Sequence, residues 1–158
     1  MIKMYRTLLL AGSVTLMAAG CASGPQYSEI AASIPTLGAD HGRIYFFRSG
    51  SMLGAALQPD VKLNGNAVGQ SKPGGFFYVD EPAGQYVVST RTEAEKTVSF
   101  ALDAGETKYV RTSVSMGLLV GRVVPSLEAP DIAEKEIEGL KYAVGVTTAQ
   151  NAKKGDSH

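Results

Sequence analysis

Beyond Arg43 the sequence is cut by turn signals about every eight to twelve residues, a spacing that admits short strands but not strands alternating with long helices. Ile44-Tyr45-Phe46-Phe47 and Phe76-Phe77-Tyr78-Val79 are continuous apolar runs rich in aromatic and β-branched residues. Each is therefore expected to be buried on two faces, or to lie in a strand that faces a helix. Val61-Lys62-Leu63 is followed by Asn64-Gly65, a pair that tolerates the positive φ angles of a tight hairpin, with Ala67-Val68 returning alongside. Pro82-Ala83-Gly84 turns the chain into Tyr86 to Thr90. In Thr97 to Leu102, Val98, Phe100 and Leu102 alternate with smaller or polar residues, the period of two of a half-buried strand. Asp103-Ala104-Gly105-Glu106 makes the next turn, Lys108 to Ser115 a further strand, and Leu118 to Val124 a last apolar stretch broken by Gly121.

One helix is expected near the end of the chain. Pro130 suits a first helical position, and Asp131 and Glu134 favour the positive end of the helix dipole. Ala133, Ile137 and Leu140 fall on one stripe, which covers an open face or end of the sheets, while Glu134, Glu138 and Lys141 face water. The fold class expected is mostly β: a small antiparallel sandwich, Ig-like or PEGA-like in layout, with one C-terminal helix.

The N-terminal segment sets the compartment. Lys3 and Arg6 precede an apolar run through Leu8, Leu9, Leu10, Val14, Leu16 and Met17. At about a dozen residues the run is shorter than the ~20 that a bilayer span requires, and it fits the apolar region of an export signal. It ends in Ala18-Ala19-Gly20-Cys21, which resembles a lipobox with alanine where leucine is favoured. The reading is cleavage between Gly20 and Cys21 and lipid attachment at Cys21; the alternative is an ordinary secretory signal with Cys21 incidental. The chain has one cysteine, so no intramolecular disulfide forms, and acylation would also remove an unpaired thiol from an oxidising compartment. With Ala22 rather than aspartate after the cysteine, the periplasmic face of the outer membrane is the expected location.

The divisions expected are 1–20 as leader, 21–41 as lipidated N-terminus and tether, 42–145 as the β domain and 146–158 as a disordered tail. Within the tether, the residues around Ser28 to Ile34 have helical character, and two roles stay open: a spacer, or a segment in which Ile30 and Ile34 pack back on the domain.

Several motifs in the domain resemble the family of small predicted bacterial lipoproteins known as domain of unknown function 2846. They are Gly42-Arg43-Ile44-Tyr45-Phe46-Phe47-Arg48, Val61-Lys62-Leu63-Asn64-Gly65 with Val68-Gly69, Gly75 to Asp80, Pro82-Ala83-Gly84-Gln85-Tyr86 and Ala104 to Arg111. The hairpin followed by a Pro-x-Gly-x-Tyr strand is also similar to surface β-sandwich repeats of the PEGA kind. The resemblance implies a lipoprotein with a β-sandwich-like domain and brings no known activity or catalytic residues.

Catalytic and metal chemistry find little material. The two histidines are His41, in the last turn of the expected tether, and His158, the final residue. Neither nucleophilic catalysis nor a zinc site is expected from them, and Asp80-Glu81 reads as a solvated turn. No cofactor is expected. Acidic and basic residues balance at 15 each; loss of Lys3 and Arg6 leaves 13 basic residues and a charge of about −2, so charge alone does not draw the chain to nucleic acid. Two features remain as contact surfaces. Met52, Leu53 and Leu57 lie on one apolar connection and Met116 and Leu118 on another, which either close the core or form a patch for a partner, an envelope protein above all, or for the membrane surface. Arg43, Arg48, Arg91, Arg111 and Arg122 lie in or beside strands, and Arg48 and Arg111 are the candidates for anion contact in a peptidoglycan- or small-ligand-binding alternative.

Overall fold

A computed structural model describes residues 21–144. The segment 1–20 read as a leader, with Gly20, and the residues from 145 on, with the expected tail and His158, lie outside them.

Two sheets form the sandwich. The first has strand order β8-β7-β1-β4-β9 and the second β3-β2-β5-β6. The strands are β1 (His41–Arg48), β2 (Asp60–Leu63), β3 (Asn66–Gln70), β4 (Gly75–Pro82), β5 (Gly84–Arg91), β6 (Glu95–Leu102), β7 (Thr107–Ser115), β8 (Arg122–Leu127) and β9 (Lys141–Tyr142). Two helices flank them, α1 (Tyr27–Ile30), which runs into a 3-10 turn, and α2 (Pro130–Ile137).

The alternation of side chains in β1 explains why its apolar run is continuous. Ile44 and Phe46 join Val61, Leu63, Val68, Phe77, Val88, Phe100, Leu102 and Val110 in the core between the sheets. Tyr45 and Phe47 point the other way, into a second core with Phe76, Tyr109, Ala133, Ile137 and Leu140. The first sheet is thus buried on both faces, by the second sheet and by α1 with α2. Phe46 and Phe77 sit opposite each other in the β1·β4 ladder with rings stacked 4.9 Å apart. The stripe of Ala133, Ile137 and Leu140 is buried, as its spacing requires.

Among the described residues, pairing is antiparallel except at two places. β1 runs parallel to β7 and β4 parallel to β9. A parallel pair needs a crossover, and here the connection from β1 to β7 contains β2 to β6, including the whole second sheet. The hairpin at Asn64-Gly65 has both residues at positive φ, 47° and 85°, which matches the twist of its strands.

The segment after Cys21 is not a free spacer. Ala22 is buried, its N–H donating to the Pro73 carbonyl at 3.1 Å. The Pro25 carbonyl accepts from the Tyr142 N–H at 2.8 Å, and Tyr27 N–H donates to Leu140. Tyr27 packs edge-on against Phe76 and Tyr45, and Ile30 joins the same core. A Cβ on Gly24 would lie 2.1 Å from the Tyr142 carbonyl oxygen, so the close approach needs glycine. Packing therefore begins at Ala22 rather than at 42, because β9 and the helical face of the first sheet present unpaired backbone and aromatic surface that this segment covers.

Candidate functional site

The C-terminal ends of β1 and β7, the N-terminal ends of β4 and β8 and the β5–β6 turn all lie at one end of the sandwich. The two connections singled out in the sequence meet there. Met52 is 86 % exposed, Met116 87 %, Leu118 89 % and Leu119 93 %, with Leu53 and Val120 also open to solvent, so these residues do not close the core. Leu57 is half-buried beneath Gly121, whose Cβ position lies 3.2 Å from Leu57 Cδ1. A groove of about 210 Å³ is lined by Leu53, Val114, Met116, Leu119 and Val120.

The backbone under this patch is tightly organised. The Glu93 carboxylate, on the β5–β6 turn, accepts from the N–H groups of Leu118, Leu119 and Val120 at 2.9, 3.0 and 3.3 Å. It also accepts from Arg122 Nε at 2.8 Å. A Cβ on Gly117 would sit 2.3 Å from Glu93 Oε1, so glycine is what lets the carboxylate into the loop. The donated N–H groups of Leu119, Leu118 and then Val120, together with Arg122, hold the Glu93 pKa down to about 2 from its ordinary 4.5. A depressed carboxylate pKa contributes stability that is fully present above 4.5 and is lost as pH falls through about 2. The amide resonances of Leu118, Leu119 and Val120 are therefore expected to titrate with a midpoint near 2. Glu93→Gln abolishes that titration; a midpoint at the ordinary glutamate value would refute the arrangement.

The arginine face of the alternative reading does not assemble around Arg48 and Arg111. Arg48 is 3 % exposed and donates to the carbonyls of Leu57, Gly54 and Ser71, stapling the 49–59 connection to the sheet. Arg111 is held by Glu128 at 2.8 Å and Glu136 at 2.6 Å and lies over the Phe47 ring. Arg43 grips Asp80 through two bonds of 2.6 and 2.7 Å and Arg122 pairs with Glu93. Neither Arg48 nor Arg111 is thus available to an external anion in this arrangement, because carbonyls of the adjoining connection and of Ser71, and the carboxylates of Glu128 and Glu136, take their donors. Asp80 and Glu81 lie in β4 rather than in a loop, and His41 begins β1, its Nδ1 2.7 Å from Asp40 Oδ1.

A second concavity of about 250 Å³ lies on the helical face of the first sheet, lined by Tyr27, Arg43, Tyr45, Tyr109, Glu134 and Glu138 among others. Tyr45 and Tyr109 stack at 5.5 Å, and the Tyr109 hydroxyl donates to Glu134 at 2.8 Å. Burial raises the Tyr45 pKa to about 12; burial and then the Glu134 carboxylate raise that of Tyr109 as well. Both phenols stay neutral donors at ordinary pH. This cleft and Glu93 escaped the sequence reading, since their members come from segments far apart in the chain and carry no local motif.

An uncharacterized protein of Haemophilus influenzae is 26 % identical over 136 residues, covering 83 % of this chain and 80 % of that protein. No solved structure matches the chain. The family model described as protein of unknown function (DUF2846) matches residues 38–123, from just before β1 into β8, and the chain belongs to that family.

Proposed function

We propose that the protein is a lipid-anchored, non-catalytic component of the bacterial envelope, acylated at Cys21 and held at the periplasmic face of the outer membrane. It works by binding another envelope component through its apolar end. The observation that carries this reading is the position of Cys21: it is exposed and directly precedes the buried Ala22, which packs on Gly75 at the start of β4, beside Arg48 and at the end where the apolar loops gather. The lipobox-like Ala18-Ala19-Gly20-Cys21 supports the same reading from the sequence. Two or more acyl chains, each CH₂ contributing about 0.8 kcal/mol, hold such a domain stably. The arginine-face alternative loses its two contact residues to internal partners.

Intact mass of the membrane-extracted protein tests the anchor. The expected product begins at Cys21 and carries the added mass of a diacylglyceryl group. A Cys21→Ser chain delivered by a leader cleaved before residue 21 is expected to leave the membrane fraction on washing. An unmodified Cys21 in membrane-retained protein would overturn the proposal.

A further inference from the structure

We infer that the apolar end of the sandwich docks on the same bilayer leaflet that receives the acyl chains of Cys21, with the 116–121 loop seating its leucines among the lipids. The inference rests on the acylation proposed above and names the surface that this end contacts.

Position is the first argument. Ala22 is pinned by its bond to the Pro73 carbonyl, and the Pro73-Gly74 turn lies against Gly50 at the root of the Met52–Leu57 connection. Consecutive Cα atoms are about 3.8 Å apart, so the acylated residue stands one step from docked backbone. A lipid bound there brings the bilayer against this end of the domain; a free tether of some twenty residues would have left a gap of tens of ångströms.

The chemistry of the loop is the second. Met116-Gly117-Leu118-Leu119-Val120-Gly121 contains no charged side chain. Backbone donors that leave water without a partner are costly, and lipid offers none. Here the N–H groups of Leu118, Leu119 and Val120 are already satisfied by Glu93, whose charge is met by Arg122. A protein partner can supply acceptors of its own; a loop entering lipid must bring them, and this one brings them for its three consecutive apolar residues Leu118, Leu119 and Val120.

Charge is the third. Lys72 precedes Pro73, and the Lys141 N–H donates to the Gly74 carbonyl, so two lysines flank the exit of Cys21. Of the acids at this end, Glu93 and Glu136 are paired with Arg122 and Arg111, and Asp60 and Glu95 line a concavity together with Lys62 and Arg91. Lysines so placed suit anionic headgroups.

The acylated protein provides its own test. Cys21 is the single cysteine, so once its sulfur is acylated Leu119→Cys carries the one free thiol. A fluorophore attached there, in vesicles of phosphatidylethanolamine and phosphatidylglycerol, is expected to be quenched by lipids brominated in their acyl chains. The same fluorophore at Ala104→Cys, in the turn at the far end, is not. Equal quenching at both positions in protein whose mass shows the diacylglyceryl group would overturn docking while leaving the anchor intact, and would return the apolar end to a protein partner. Protein without the added mass would overturn both. As a second measurement, the chain begun at residue 21 with Cys21→Ser should still partition weakly onto these vesicles, and Leu118→Ser with Leu119→Ser should lower the partition constant by about tenfold. An unchanged constant counts against docking.

Discussion

Phe46→Ala is expected to lower the unfolding free energy by about 3–5 kcal/mol, because it removes a ring from the middle of a closed core. Phe46 is 1 % exposed, stacks on Phe77 at 4.9 Å and lies among Ile44, Val61, Val88 and Val110. Its neighbours belong to both sheets, so no single strand can shift to fill the space. Domains of this size are stable by roughly 5–15 kcal/mol, so the loss is a large share of the total. The melting temperature is expected to fall by about 10–20 °C. Urea unfolding of the two forms checks this directly, and a loss below about 1 kcal/mol would mean that the sheets do not close on Phe46 as described.

Arg48→Ala is the second large effect, and it links stability to the apolar end. Among the described residues the buried Arg48 guanidinium has no carboxylate partner; desolvation lowers its pKa, and its charge is dispersed over the carbonyls of Leu57, Gly54 and Ser71. Removing it strands these acceptors at about 1–3 kcal/mol for each that cannot reach water. Since the 49–59 connection can open, the expected net loss is about 2–4 kcal/mol, with new protease cleavage around Met52–Leu57. Arg48→Lys keeps the charge but not the planar fork that reaches several carbonyls at once, so it should restore only part of the loss. Full stability in Arg48→Lys would show that charge, not geometry, holds the connection.

Much of this fold can be read from local pattern. The hairpin at Asn64-Gly65, the alternating strand through Val98, Phe100 and Leu102, and the buried stripe of α2 follow from turn chemistry and side-chain period, which act over a few residues. The doubly buried runs at Ile44–Phe47 and Phe76–Val79 are likewise legible, because a strand covered on both faces has no polar side to show.

What escaped the sequence depends on residues distant along the chain. The parallel pairing of β1 with β7 joins segments separated by the whole second sheet, and no local signal encodes it. Arg48 and Arg111 read as surface cations until Leu57, Ser71, Glu128 and Glu136 are placed around them. Leu118 and Leu119 are apolar enough for a core, yet Glu93, far upstream, takes their backbone N–H groups and fixes them in an exposed loop. The sequence by itself determined the strands, the turns and the stripe of α2, since short-range sterics and hydrophobic period decide them. Which polar groups are satisfied internally, and which apolar residues are left facing solvent, only the tertiary structure decided, because burial and hydrogen bonding depend on partners that folding alone brings within reach.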